Sequence, residues 1–91
     1  MKVRYTKRAA AQIAAALDYI AAQSPQGAVN VAGRIKVLVD LLRDHPEAGR
    51  STTRPGVRRL AANPYPYLID YRVTATEIIV LRFRHAARRP I

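Results

Sequence analysis

The alternation of apolar and polar positions in the C-terminal third of the chain predicts a β-hairpin. In the run Tyr67–Val73, aromatic and aliphatic side chains alternate with positions that include Asp70 and Arg72. This period of two is typical of a half-buried strand. A second alternating run occupies residues 78–84, and the short break at residues 74–77 between the two runs fits a hairpin turn.

The second run carries two arginines on one side of its strand. Arg82 and Arg84 alternate with Leu81 and Phe83, so we expect Leu81 and Phe83 to share one face and the arginines to share the other. Pairing of the apolar faces of the hairpin would bring Asp70 beside Arg82 on the opposite face. Two interpretations of that face stay open. It is either a solvated surface on which Arg82 pairs with Asp70, or a surface that binds a partner.

Two helices are predicted before the hairpin. Residues 7–23 are rich in alanine, the strongest helix former, and their larger apolar residues recur every three to four positions. Residues 25–44 carry a broader apolar stripe. Thr6 and Ser24 are suited to cap the two N-termini, and His45 before a proline marks the end of the second helix.

Three apolar residues of the second helix, Val29, Val37 and Leu41, lie off its core stripe. At 100° per residue they fall outside the face that the other apolar residues form. Either this helix is buried on two sides or the three residues contact a partner. Gly33 within the same helix predicts tight packing against a neighbour, because glycine destabilises a helix interior.

The resulting order of elements is β-α-α-β-β-β. Short alternating runs at residues 1–5 and 57–61 predict two more strands, and the polar segment 47–55 predicts a loop. A helical hairpin must lay its apolar faces on the sheet. We therefore predict a single α+β domain over residues 1–91, in which an N-terminal α-hairpin packs on one face of an antiparallel sheet.

Charge adds a preference for an anionic partner. The chain has 16 lysines and arginines against 6 acidic residues, a net charge of +10. Residues 50–91 contribute +7 of this charge and contain 9 arginines, whereas residues 1–49 contribute +3. We expect the C-terminal half to meet the anionic partner. Because the guanidinium group suits phosphate and carboxylate equally, nucleic acid and an acidic protein segment both fit.

The composition argues against several other classes of protein. The chain has no cysteine and only 2 histidines, His45 and His85, so we predict neither a metal site nor a cofactor. A domain of 91 residues has a small core, which favours a surface groove over a deep cavity. No apolar run approaches the roughly 20 residues of a membrane span, and we expect a cytoplasmic protein.

Three segments resemble the RelE/ParE superfamily of toxins from bacterial toxin–antitoxin pairs: YLIDYRV at 67–73, EIIVLRFRHAAR at 77–88 and HPEAGR at 45–50. The chain is most similar to the ParE branch. Its members tend to have a P-x-x-G loop after the second helix, a Y-x-I-x-Y-R-V strand, and a last strand that ends in histidine, a small residue and arginine. The glycine that usually follows the histidine is Ala86 here.

The resemblance implies a RelE/ParE-like fold and a toxin that a cognate antitoxin holds inactive. For the ParE branch it further implies inhibition of DNA gyrase by binding, without a bond-cleaving step. The target-binding surface would then be the basic C-terminal region, with Arg82, Arg84, His85, Arg88 and Arg89.

The alternative is a ribosome-dependent mRNA endoribonuclease of the RelE type. His85 would act with Arg82 or Arg72, since such an enzyme needs an acid–base group and a cation that stabilises the transition state. Ribonuclease members usually place a catalytic arginine in the third strand, where this chain has the apolar run Tyr67–Ile69. A histidine at a strand end also serves often as a structural hydrogen-bonding residue, and that interpretation stays open.

The expected partner is an acidic antitoxin similar to ParD, which would form a heteromer with the chain. An extended acidic segment would fold on the toxin and bury apolar surface while it pairs charges. We predict apolar contacts from Val29, Val37 and Leu41 and basic contacts from Arg58 and Arg72. Operator DNA would be bound only indirectly, through the antitoxin.

Overall fold

The computed structural model describes residues 1–87, which form two helices and five strands. Their bounds are β1 Lys2–Tyr5, α1 Lys7–Gln23, α2 Pro25–Asp44, β2 Arg50–Ser51, β3 Val57–Ala61, β4 Tyr67–Val73 and β5 Glu77–His85. The predicted order is confirmed, with the two-residue strand β2 added inside the predicted polar loop. Arg88 and Arg89, which belong to the predicted target-binding surface, lie outside the described residues.

The helix boundaries follow from the capping residues that the sequence indicates. The hydroxyl of Thr6 accepts a hydrogen bond from the amide of Ala9 at 3.0 Å, and the hydroxyl of Ser24 accepts one from the amide of Gly27, also at 3.0 Å. Each of these bonds satisfies an amide that has no partner within its helix. Within residues 1–87, neither helix combines the length and the apolar character that crossing a membrane requires.

The sheet has the strand order β1-β5-β4-β3-β2. Neighbouring strands are antiparallel except β1, which runs parallel to β5. β1 pairs only with the first half of β5, from Lys2 opposite Glu77 to Tyr5 opposite Val80. Among the described residues, the second half of β5, Leu81–His85, therefore has a neighbouring strand on one side only.

The core lies between the α-hairpin and one face of the sheet. Its main cluster joins residues of both helices to residues of the strands, among them Ala9, Leu38, Ile69, Val80 and Phe83. Each of these five exposes at most 3% of its surface. Burying a large aliphatic or aromatic side chain contributes about 1.5–3 kcal/mol. This buried layer holds the α-hairpin on the sheet and confirms the predicted placement of the helices on one face.

A β-bulge interrupts the pairing of β4 with β5. Asp70 lies opposite Arg82, as the sequence predicts. The next residue of β4, Tyr71, lies opposite Val80. Leu81 is therefore the extra residue, and a bulge of this kind shifts the alternation of side chains by one position.

The shift makes one prediction from the sequence wrong. Val80 and Phe83 both face the core, with 1% and 2% of their surfaces exposed, whereas Leu81 is partly exposed. Leu81 and Phe83 do not share a face, because Leu81 is itself the extra residue and the alternation shifts by one position between it and Phe83. Arg82 and Arg84 do share the opposite face, where they lie across from Asp70 and Leu68.

Tyr71 ties the loop after α2 to the sheet. Its hydroxyl donates to the carbonyl of Pro46 at 2.7 Å and accepts from the amide of Gly49 at 2.8 Å. A Cβ on residue 49 would lie only 2.7 Å from that hydroxyl, so glycine alone fits. Burial among residues that include Leu42 and Ile78 raises the pKa of the Tyr71 phenol. These contacts explain why the P-x-x-G loop carries glycine at its last position.

Gly33 does not mark a tight contact within the chain, and the prediction that it does is wrong. A Cβ built at this position meets nothing within 4 Å. The residue faces open space on α2, so packing inside the monomer does not require glycine there.

Candidate functional site

A groove of about 510 Å³ lies between α1 and the second half of β5. It is lined by Arg8, Gln12, Ala15, Ala16 and Tyr19 of α1, by Tyr67 of β4, and by Arg82, Phe83, Arg84 and His85 of β5. The groove exists because β1 ends at Tyr5, opposite Val80, and no strand within residues 1–87 covers the rest of β5 on that side. It brings together three of the residues predicted to bind the target.

Side chains near and within α1 bond to the backbone of β5 beyond the end of β1. The hydroxyl of Thr6 donates to the carbonyl of Leu81 at 3.4 Å. The side-chain carbonyl of Gln12 accepts a hydrogen bond from the amide of Phe83 at 2.9 Å. Side chains thus take the place of a neighbouring strand along this part of β5.

Aromatic rings form one side of the groove. Tyr67 and Phe83 stack with ring centroids 5.0 Å apart and planes 13° from parallel. His85 meets Tyr67 edge-on, with centroids 5.4 Å apart and planes at 82°. Nδ1 of His85 accepts a hydrogen bond from the amide of Ala87 at 3.1 Å. These contacts orient the imidazole and engage its Nδ1 with the backbone.

The carboxylate of Asp70 pairs with Arg59 rather than with Arg82. Nε and Nη2 of Arg59 donate to the two carboxylate oxygens at 2.7 and 3.1 Å. These hydrogen bonds raise the pKa of Arg59. Asp70 is 3% exposed and lies between Arg59 of β3 and Arg82 of β5 in the sheet. The bidentate geometry shows that Arg59 is its partner. The predicted ion pair between Arg82 and Asp70 is therefore wrong.

Arg82 and Arg84 are left with unsatisfied donors. Within residues 1–87, the Nε atoms of both arginines are buried and have no hydrogen-bond partner. Burial lowers the pKa of Arg82; the charge of Asp70 opposes this shift, and those of Arg84, Arg8 and Arg59 add to it. A buried donor without a partner costs about 1–3 kcal/mol. A negative charge bound in the groove would offset the repulsion among these cations.

The family model for the ParE toxin of the type II toxin–antitoxin system parDE matches residues 3–90. The chain belongs to the ParE toxin family. This ParE-family chain is 41% identical over 87 residues to a protein named Toxin RelE2 of Caulobacter vibrioides, and the match covers 96% of the chain and 97% of that relative.

Two solved structures share the fold. A chain of the chromosomal ParDE toxin–antitoxin system from P. aeruginosa is 31% identical with a TM-score of 0.81, and the match covers 93% of this chain and 95% of that one. A chain of the E. coli DinJ-YafQ toxin–antitoxin complex has a TM-score of 0.62 at 16% identity, with 94% and 92% covered. The second match shows similarity of fold alone.

The groove of this ParE-family chain does not include Arg72 or Arg58. Arg72 lies opposite Ile79, near the turn between β4 and β5. Tyr67, the residue opposite His85, is five positions away along β4. That separation is about 17 Å along a strand, so Arg72 and His85 are not brought together. Arg58 donates to the carbonyl of Gly49 at 2.8 Å.

The predicted apolar contacts of the antitoxin lie on α2. Val29, Val37 and Leu41 expose 64%, 54% and 39% of their surfaces. They are therefore not part of a second buried face of the helix, which removes one of the two explanations that the sequence left open. None of the three is among the residues that line the groove.

Sequence reasoning missed the contribution of α1 to the groove. Arg8, Gln12 and Tyr19 line it, and their spacing of four and seven residues places them on one face of the helix. The spacing was a usable signal. What it could not show is that this face of α1 meets the uncovered half of β5.

Proposed function

We propose that this ParE-family protein is the toxin of a type II toxin–antitoxin pair, inhibits DNA gyrase by binding to it, and is neutralised by an acidic antitoxin. The observation that carries the proposal is the cationic groove at the end of β5 in a member of this family. The groove is lined by Arg8, Arg82 and Arg84 and by no aspartate or glutamate among the described residues, and a cluster of guanidinium groups suits an anionic surface.

The side chains of the groove support inhibition by binding over catalysis. A ribonuclease needs groups that take up and release protons as well as cations that stabilise the transition state. Among the described residues that line the groove, His85 is the one histidine, and no aspartate or glutamate lies among them. The carboxylate of Asp70, on the neighbouring strand, is already paired with Arg59.

A supercoiling assay with purified gyrase, relaxed plasmid and toxin freed of antitoxin tests the proposal. We expect inhibition together with accumulation of cleaved plasmid. The double variant Arg82→Ala/Arg84→Ala should require at least about tenfold more protein for the same effect, since two charge-assisted contacts are lost. Arg50→Ala, at an exposed site on β2, should inhibit like the parent. Normal supercoiling at a stoichiometric excess of folded parent protein would contradict gyrase as the target.

The second candidate function is cleavage of ribosome-bound mRNA, and the position of His85 favours it. The imidazole lines the same groove as Arg82 and Arg84. Because its Nδ1 accepts a hydrogen bond from the amide of Ala87, Nε2 would be the nitrogen that transfers a proton. Under this alternative, His85→Ala should abolish cleavage in a ribosome-dependent translation assay and still bind the antitoxin. Absence of cleavage by the parent protein in the same assay would rule the alternative out.

We infer that the antitoxin forms a heteromer with this protein through the exposed apolar residues of α2 and through strand arginines. Val29, Val37 and Leu41 supply the apolar contacts, and Arg58 and Arg72 supply basic ones. Exposed apolar surface on an otherwise cationic protein supports such a partner. The complex would reach operator DNA through the antitoxin.

Co-expression with the product of the neighbouring reading frame tests this interface. Val37→Asp should weaken co-purification of the two proteins, because it places a charge in an apolar contact and repels an acidic partner. Gln26→Glu adds the same charge at another exposed position of α2 and should have little effect. Equal recovery of both variants would contradict the assignment of Val37.

A further inference from the structure

Within residues 1–87, the helices leave one face of the sheet uncovered. Both helices pack on the face that carries Ile69 and Val80 of the core. Successive residues of a strand alternate between faces, and residues opposite each other on neighbouring strands share a face. The other face of the four longer strands therefore carries six cationic side chains and two carboxylates, and we call this set the outer face. Its members are Lys2 and Arg4 of β1, Arg59 of β3, Asp70 and Arg72 of β4, and Glu77, Arg82 and Arg84 of β5.

Both carboxylates of the outer face are already paired. Glu77 forms an ion pair with Arg4 at 3.2 Å, and Asp70 forms one with Arg59 at 2.7 Å. Within residues 1–87, the remaining cations of the outer face form no ion pair; these are Lys2, Arg72, Arg82 and Arg84. Lys2 and Arg72 are exposed, whereas Arg82 and Arg84 lie at the border with the groove. The outer face thus presents positive charge that no carboxylate of the described chain neutralises.

The outer face has no aromatic side chain among residues 1–87. Tyr67 and Phe83 belong to the opposite face, where they pack in the core, and Tyr71 is buried beside Leu42. Tyr5 also faces that side, because it lies opposite Val80. Proteins that bind single-stranded nucleic acid stack its bases on aromatic rings. The outer face offers no such platform, which favours a duplex, whose bases are already stacked, over a single strand.

Exposed apolar residues also lie away from the outer face. Those of the described chain with the largest exposed surfaces are Met1, Tyr5, Tyr19, Val29, Val37 and Leu41. None of them belongs to the outer face. A protein segment that folds on its partner gains affinity by burying apolar surface. The outer face offers charge without such contacts, which favours a polyanion over an acidic protein segment.

The dimensions of the outer face fit several phosphates of one duplex. Neighbouring strands lie about 4.8 Å apart, so the four strands β1, β5, β4 and β3 span about 14 Å. Duplex DNA carries one negative charge per about 1.7 Å of its axis. A duplex that crosses these strands would therefore place several phosphates within reach of the outer face. The guanidinium group can bind each phosphate through two parallel hydrogen bonds.

We propose that the outer face of the sheet binds the sugar-phosphate backbone of duplex DNA, with Arg72 at its centre. The inference rests on the proposed function, and it names the DNA held by gyrase as a surface that this protein contacts. Phosphate contacts carry no sequence information, so recognition of the operator stays with the antitoxin. Because Arg72 is also a proposed contact of the antitoxin, the antitoxin and the duplex would compete for it.

The test is the titration of the full chain, free of antitoxin, into a fluorescein-labelled DNA duplex of about 20 base pairs, followed by fluorescence anisotropy at several salt concentrations. Arg72→Ala should weaken binding about fivefold at low salt and reduce the slope of log K against log salt by about one, because a phosphate contact is lost. Lys36→Ala removes the same charge from an exposed site on α2 and should leave both quantities unchanged. Equal effects of the two variants would reflect general attraction to a chain of charge +10 and would overturn the assignment of the face.

Two other polyanions separate the possible occupants. A single strand of the same sequence should bind at least about threefold more weakly than the duplex, because the outer face has no rings on which bases stack. Equal or tighter binding of the single strand would overturn the preference for a duplex. Polyglutamate that displaces the duplex at an equal concentration of charge would identify an acidic protein segment as the occupant and would also overturn the proposal.

NMR of the isotope-labelled chain locates the bound duplex. The amide signals of Arg72 and Ile79, which lie opposite each other on β4 and β5, should shift on titration. Shifts confined to Phe83 and His85 would place the duplex in the groove and overturn the assignment of the outer face.

Comparison with the supercoiling assay distinguishes this inference from the proposed function. Inhibition of gyrase by a chain that binds no duplex would overturn the inference and leave gyrase as the target. Binding of the duplex by a chain that leaves supercoiling normal would contradict gyrase as the target and support the outer face as a DNA-binding surface.

Discussion

The first half of β5, Glu77–Val80, lies between β1 and β4, whereas the second half, Leu81–His85, has β4 on one side and a groove on the other. Ile78 and Val80 in the first half expose at most 1% of their surfaces. The two halves meet at the bulge, where the alternation of side chains shifts by one position.

The charges of the two halves differ in the same way. Glu77 at the start of β5 is paired with Arg4 at 3.2 Å. Arg82 and Arg84, beyond the bulge, have buried Nε atoms without partners among residues 1–87. Satisfied contacts stabilise the fold, and unsatisfied donors favour an external partner. The difference teaches that one strand can be paired on both sides in one half and carry unsatisfied donors beside a groove in the other.

The largest expected effect comes from removing a core side chain from the first half of β5. Ile78→Ala should lower the free energy of unfolding by about 3 kcal/mol, because a fully buried side chain leaves a cavity. Urea denaturation measures the change. Ile79→Ala, at the partly exposed neighbouring position, should lose about 1 kcal/mol. Equal losses at the two positions would contradict the assigned face of β5.

Removal of the carboxylate that lies between the arginines should have the next largest effect. Asp70→Ala should lower the free energy of unfolding by about 2 kcal/mol, because Arg59 loses its bidentate partner and Arg82 loses a nearby negative charge. Urea denaturation again provides the measurement. Asp40→Ala removes an exposed carboxylate and should change the stability by less than about 0.5 kcal/mol. A neutral effect of Asp70→Ala would show that the pair does not stabilise the sheet.

Tyr71→Phe should cost about 1.5 kcal/mol at neutral pH, since both hydrogen bonds of the hydroxyl are lost. Burial raises the folded-state pKa of this phenol above its ordinary value of 10.0. The folded chain therefore binds the proton more tightly than the unfolded chain. This contribution to stability is complete below about pH 10 and is lost as the pH rises through the folded-state pKa.

Urea denaturation on both sides of pH 10 checks the pH dependence of Tyr71. The parent should lose more stability on the alkaline side than Tyr71→Phe does. Tyr5→Phe provides a comparison, because burial also raises the pKa of Tyr5. Its removal should reduce the alkaline loss of stability independently of Tyr71. An identical alkaline loss in the parent and in Tyr71→Phe would contradict the assignment.

The smallest effect on stability is expected for the arginines in the second half of β5. Arg84→Ala should change the free energy of unfolding by no more than about 0.5 kcal/mol, because relief of its unsatisfied Nε donor and loss of the packing of its aliphatic stem oppose each other. The same variant should weaken inhibition in the supercoiling assay. Arg4→Ala, which breaks the ion pair with Glu77 in the first half, should show the reverse, with a small loss of stability and unchanged inhibition.

Local signals were sufficient for the helices and for the order of the strands. Thr6 and Ser24 cap the helices as their side chains predict, since an N-cap depends only on the residues next to it. The bulge at Leu81 could not be predicted, because an extra residue in an unbroken apolar run leaves no local trace. The partner of Asp70 was also beyond the sequence, since arginines lie opposite it on both neighbouring strands.

By itself, the sequence determined the order of the elements, the surplus of arginine in the C-terminal half and the resemblance to the ParE family. The tertiary structure decided which arginines pair, which face of α1 meets the sheet and where β5 is left uncovered. The physical reason is one of range. Periodicity and capping act over a few neighbouring residues, whereas the groove depends on where β1 ends beside a strand more than 70 residues away.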